Sequence, residues 1–314
     1  MSERQTPSVA AGWVAGIAVA IISTAAVALI LGGGAPTAPP PGIADPGRLF
    51  PWLSAVLPAL RTATLIATIG FVAVAITATP EQRDELRRGA TLSSLAWVVA
   101  IALQAVCLAA ELHGRAPILG SPQMRGLLMS GGIVGILALV IDRARRFPWI
   151  EFVIVIAAIV PTVVVGHART TGAPLLSSVV LTAHIAAASA WIGGLLVLAW
   201  LAVRRRPWWY LHLAGFSRLA ATSVVVVAVT GLIAALSRLD TPSQLLTSGY
   251  GAIVALKTVL LSGLVGFGQL QRRYVVARRG DSPPTFVLVA GAELTVMAVV
   301  IALATALAQT PPPT

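Results

Sequence analysis

Four histidines and one cysteine occur in the 314 residues, and two of the histidines flank a short link between apolar runs. His167 closes one run in VVVGHA. His184 lies ten residues into the next, PLLSSVVLTAHIAAASAWIGGLLVLAW (Pro174–Trp200). An ionisable residue inside an apolar segment of membrane length is costly and reads as functional by default. Consecutive helices joined by so short a link run antiparallel, and if the first continues a turn beyond His167 the two imidazoles sit at similar depth near one surface. Paired imidazoles suit copper, zinc or haem iron. The same pattern also fits two separate buried histidines, each bonded to a backbone carbonyl.

Other residues extend the list of candidates. Trp191 lies two helical turns beyond His184 and shares its face, while Ala187, Ala188, Gly193 and Gly194 form a smooth strip that lets neighbouring helices approach closely. Cys107 and Glu111 stand at i and i+4 on one helix face, with His113 just beyond. They offer additional metal ligands, or else a small apolar thiol and two water-facing groups at a helix end. Lys257 and Glu293 lie inside consecutive apolar runs, so each needs a partner or a wet cavity. They pair, or Lys257 snorkels and Glu293 stays neutral. Glu151 and Arg218 lie near span ends and read as snorkelling. Met124, Met129 and Met297 are scattered and read as packing. No nucleophile elbow, Walker loop, HExxH or CxxC occurs, so an enzyme is not expected.

The elements that must position these residues are membrane helices. Hydrophobic residues make up 57% of the chain and charged residues 11%, against about 25% charged in a soluble domain. Mean hydropathy is +0.89. The expected fold is an all-α polytopic transmembrane bundle of about nine spans. These are Ala11–Leu31, Val56–Thr77, Ala90–Leu112, Gly126–Ile141, Trp149–Gly166, Pro174–Val203, Leu219–Leu236, Tyr250–Leu270 and Thr285–Ala308. Residues 1–55 form an extra first span with a Pro/Gly-rich link, 56–148 the first part of the bundle, and 149–314 the core that carries both histidines. The net charge of +11 is spread over short arginine patches between spans, which argues for topology signals and against nucleic acid. Fourteen arginines fall at the N-terminus and in the even loops, and five in the odd loops. The positive-inside rule then puts the N-terminus in the cytoplasm and the C-terminus outside. His113, His167 and His184 fall in the outer half, and His212 on the inner side. A single cysteine excludes an internal disulfide.

Several motifs in the second half, taken in order, resemble the CopD (copper resistance D) family of bacterial membrane proteins, including YcnJ-like members. They are GHA (166–168), AHIAAASAWIGGLL (183–196), FSRLAATSVVVVAVTGLI (216–233), YGAIVALKTVLL (250–261), AEL around Glu293, and PPP (311–313). The first half matches only as a set of apolar spans, with Arg61 where such proteins often carry an arginine. The resemblance implies a multi-pass protein of the bacterial inner membrane, in contact with lipid, that takes part in copper import or tolerance. His167 and His184 would be the metal-interacting residues, with Trp191, Gly193, Gly194, Tyr250, Lys257 and Glu293 belonging to the pattern. It also implies a separate periplasmic CopC-like copper donor, since no such domain is present here. Two other readings stand beside a copper permease. One is a membrane electron carrier with haem b held by His167 and His184. The other is a non-transporting assembly or scaffold protein for a copper enzyme.

Overall fold

A computed structural model describes residues 49–112, 117–141, 148–165, 174–237, 249–271 and 283–307, together with 23, 26, 27, 30, 36 and 47. From residue 49 onward these residues form eight α-helices: α1 (Leu49–Thr77), α2 (Pro80–Leu112), α3 (Pro122–Val140), α4 (Pro148–Val164), α5 (Pro174–Val203), α6 (Leu213–Leu236), α7 (Gly249–Gln271) and α8 (Pro283–Leu307). Short 3₁₀ turns at Ile118–Gly120 and Trp209–His212 precede α3 and α6. Among the described residues there is no strand.

Proline sets many of the helix starts. Helices α2, α3, α4, α5 and α8 each open on one, where its missing N–H leaves no helix bond unmade. Ser121 adds a cap at α3, its side chain accepting the Met124 N–H at 3.5 Å. Five stretches are long and apolar enough to cross a bilayer: α1, α2, α3, α5, and Trp209–Leu236, which contains α6. Shorter apolar windows lie within α4, α7 and α8. Helix α5 has the bounds expected from the sequence, whereas α2 starts ten residues before the expected Ala90. That extension takes Arg83, Arg87 and Arg88 out of a loop and into its first turns. The expected first span, Ala11–Leu31, lies mostly outside the described residues.

Helix α5 is the most buried of the five and packs on α1, α4, α6 and α8. Its Gly193–Gly194 pair explains why. Gly193 meets the Ile66 carbonyl and Gly70 of α1 backbone to backbone, and a Cβ there would stand 2.8 Å from the Gly70 Cα. A Cβ on Gly194 would stand 2.9 Å from the Phe216 ring of α6. Two adjacent glycines thus admit two different neighbours, close approaches of the kind that hold helices together where lipid is as apolar as leucine. Below this crossing, Trp191, Leu195, Leu198 and Leu201 of α5 pack with Phe286 and Met297 of α8. A second cluster joins α1 to α4 through Leu65, Ile69, Trp97, Ile101, Val134 and Ile159.

The arginine-rich end is clasped. Arg206 places both Nε and Nη2 on Glu85 Oε1, at 3.0 and 2.8 Å, and Arg204 lies over the Trp200 ring at 4.5 Å. Arg205, at φ 52°, turns the chain between them. His212 is buried here, with Nδ1 3.2 Å from Thr77 Oγ1 and Nε2 3.2 Å from Gln82 Oε1. Its two ring nitrogens tie the turn before α6 to the α1–α2 hairpin, a structural post. Glu151 differs from expectation. It is fully buried and accepts a 3.0 Å bond from Arg87 Nη2, itself only 4% exposed. The early start of α2 brings Arg87 inside the bundle, so this carboxylate has a partner and does not snorkel. Arg218 is exposed, as snorkelling requires.

Two predictions follow from these contacts. Gly193→Val should lower stability by about 2 kcal/mol or more, since backbone stands where the new side chain must go. Gly132→Ala, with open space at its Cβ, should be close to neutral, and thermal unfolding in detergent compares the two. Glu151→Gln or Arg87→Met alone should each cost about 3–5 kcal/mol, while Arg87→Met with Glu151→Met should recover much of the loss. The same unfolding assay, run as a double-mutant cycle, reads the coupling.

Candidate functional site

The site grows from the α5–α6 hairpin. Gly194 against Phe216 sets the antiparallel register near one end. Some ten residues further out, His184 of α5 lies against Thr230 and Gly231 of α6. A Cβ on Gly231 would stand 3.4 Å from the imidazole Cε1, so the glycine leaves the ring room to lie along α6. His184 Nδ1 is 2.9 Å from Thr230 Oγ1.

That bond has a direction. The Thr230 hydroxyl sits on the Val226 carbonyl, one turn back along α6, with the Val227 carbonyl also near at 3.3 Å. A threonine has a single hydroxyl proton, and here it goes to the helix backbone. Toward His184 the hydroxyl oxygen must therefore accept, and Nδ1 must carry the proton. In the neutral imidazole this puts the lone pair on Nε2. A ring nitrogen that donates to an oxygen while its opposite holds a lone pair is the arrangement of metal-ligating histidines. Thr230 and Gly231 belong to the VTGLI motif, and nothing in their residue types alone marks them as partners of His184.

The remaining sequence candidates are spread out. His167 and His113 lie outside the described residues. Trp191 is buried in the cluster on α8, and Glu293 is 4% exposed on the same side, its Oε2 without a hydrogen-bond partner among the described residues. Lys257 lies on α7, and its side chain is outside the described residues, as is that of Tyr250. Cys107 is buried on α2 one turn from Glu111. Among the described residues no group of three or more His, Cys, Asp or Glu is placed to hold a metal. A groove of about 430 Å³ beside Met129, Val160 and Pro161 is lined by apolar groups and offers an ion nothing.

Membrane-length helices packed around a half-buried imidazole define a polytopic helical membrane protein. Within it, residues 210–307, which carry α6, α7 and α8, match the family model of CopD, Copper resistance protein D. Over that stretch, about a third of the chain, it is similar to a family described as copper resistance protein D. No curated protein and no solved structure gives a match. The matched stretch holds Thr230, Gly231, Lys257 and Glu293, while His184 lies on the helix packed against it.

The proton assignment is directly measurable. In protein labelled with ¹⁵N-histidine, the neutral His184 ring should show a protonated Nδ1 and a bare Nε2. Thr230→Val removes the acceptor and should shift this signal toward the Nε2–H form, whereas Thr230→Ser should preserve it.

Proposed function

We propose that this protein is a copper permease of the bacterial inner membrane that takes copper from the extracytoplasmic side. The N-terminus and the arginine-rich end face the cytoplasm, and the chain crosses the membrane nine times. Copper is the cargo, received from a separate periplasmic CopC-like donor. His184 and His167 capture it near the outer surface, and it moves inward along α5 past Trp191 toward Glu293. The observation that carries this reading is the Thr230 bond, which turns the lone pair of the His184 ring onto Nε2. The α6–α8 match to a copper-resistance family supports the choice of copper over other imidazole-binding metals. Imidazole suits Cu(II), and the scattered methionines give Cu(I) little support.

Cells expressing the protein should accumulate copper above an empty-vector control, and His184→Ala or His167→Ala should remove most of that excess. Accumulation left unchanged by both substitutions would contradict histidine capture. Thr230→Val should weaken copper binding by about 10- to 100-fold, the usual loss when the partner of a ligating histidine is removed, with Thr230→Ser near wild type. A strong Soret band in the purified protein would favour the haem carrier instead.

A further inference from the structure

Buried polar atoms without a hydrogen-bond partner are not scattered through the described residues. Apart from Glu293 Oε2 and atoms of the Arg87–Glu151 pair, all of them lie on α1 and α2: Ser54 Oγ, Arg61 Nε, Ser94 Oγ, Trp97 Nε1, Gln104 Oε1 and Glu111 Oε1. On α2 the four fall at 94, 97, 104 and 111, a three- and seven-residue spacing that keeps them on one stripe. Ser94 and Trp97 are 0% and 1% exposed. On α1, Arg61 shares a stripe with the buried Leu65, Thr68 and Val72. Two contacts fix the antiparallel register of the pair, Arg83 Nε on the Ala75 carbonyl at 3.2 Å and Gly89 against the Phe71 ring. Carried outward, that register sets Arg61 level with Trp97. Pro58, inside α1, has no N–H to give the Ser54 carbonyl one turn back, which adds a further unfilled acceptor.

In hydrocarbon each such group costs several kcal/mol, and an uncompensated charge costs more. Among the described residues Arg61 has no ion-pair partner: Glu85 is taken by Arg204 and Arg206, and Glu151 by Arg87. Arg61 Nε–H and Trp97 Nε1–H can only donate, so at their level the missing partner is an acceptor. Nearer the end of α2, Gln104 Oε1 and Glu111 Oε1 need donors, which water supplies while also linking the two sets. Toward the arginine-rich end, α2 is instead held to α4 by the Arg87–Glu151 pair.

We propose that the α1–α2 seam is a hydrated cleft, open on the side away from the arginine-rich end, that accepts a small inorganic anion at Arg61, with Trp97 as the second donor. This site is separate from His184 and does not depend on the copper reading.

The test uses the full-length protein in oriented vesicles, in a Cys107→Ser background that leaves no other thiol. Gln104→Cys probes the seam, and Val106→Cys, at nearly the same depth on the exposed face of α2, probes lipid. Membrane-impermeant sulfonate and trimethylammonium thiosulfonates, applied from each side, should modify residue 104 from the open side only and leave residue 106 unmodified. Relative to free cysteine, the anionic reagent should be favoured at 104. Arg61→Gln should reduce that preference about tenfold, the size of one charge roughly 10 Å away at an intermediate dielectric, and Arg61→Lys should retain it. A residue 104 that reacts with neither reagent, or only from the arginine-rich side, overturns the cleft. Reaction without an anionic preference, or with one indifferent to Arg61→Gln, overturns the anion site.

Discussion

The backbone contact between Gly193 of α5 and Gly70 of α1 is the constraint on which the bundle rests. Without it, α5 stands off from α1 by at least the width of a side chain. The adjacent Gly194 then loses its seat on Phe216, and the α5–α6 register that reaches His184 has nothing to set it. Lipid gives helices no hydrophobic reason to associate, so close packing must do the work. Here two consecutive glycines on the most buried helix admit α1 backbone on one side and the Phe216 ring on the other.

From that crossing the hairpin of α5 and α6 delivers His184 to Thr230 and Gly231. The chemistry of the site lies in a small asymmetry: one hydroxyl proton, committed to the Val226 carbonyl, decides which imidazole nitrogen carries hydrogen. A second hydroxyl–imidazole pair, Thr77 with His212, sits at the opposite end with both ring nitrogens engaged. Each histidine meets a threonine hydroxyl through Nδ1, His212 buried and His184 half-buried. The Arg87–Glu151 pair is a third buried polar device, and it locks α2 to α4 near the same end as His212.

The class of fold was plain in the sequence because spans announce themselves by length and apolarity, and α5 matched its expected bounds. The start of α2 was not plain. Its first ten residues are polar, and only the buried contact of Arg87 with Glu151 shows that they continue a helix inside the bundle. His184 stood out because it is charged chemistry in an apolar run. Thr230 did not, since threonine is common in membrane helices and its role depends on a neighbour 46 positions away. The seam of Ser94, Trp97, Gln104 and Glu111 was equally hidden: its members are too far apart in the chain to read as a motif until α1 is laid beside them. The candidates His113 and His167 lie outside the described residues, so the pairing of His167 with His184 stands on the short link between their helices.

The claim at the centre of this account is that His184 binds copper through Nε2. X-ray absorption at the copper edge, on purified protein loaded with one equivalent of Cu(II), tests it most directly. The account predicts imidazole scattering in the first shell that falls by one ligand in His184→Ala and stays at the wild-type level in the Thr230→Ser control. A first shell without imidazole, or one unchanged by His184→Ala, would contradict it.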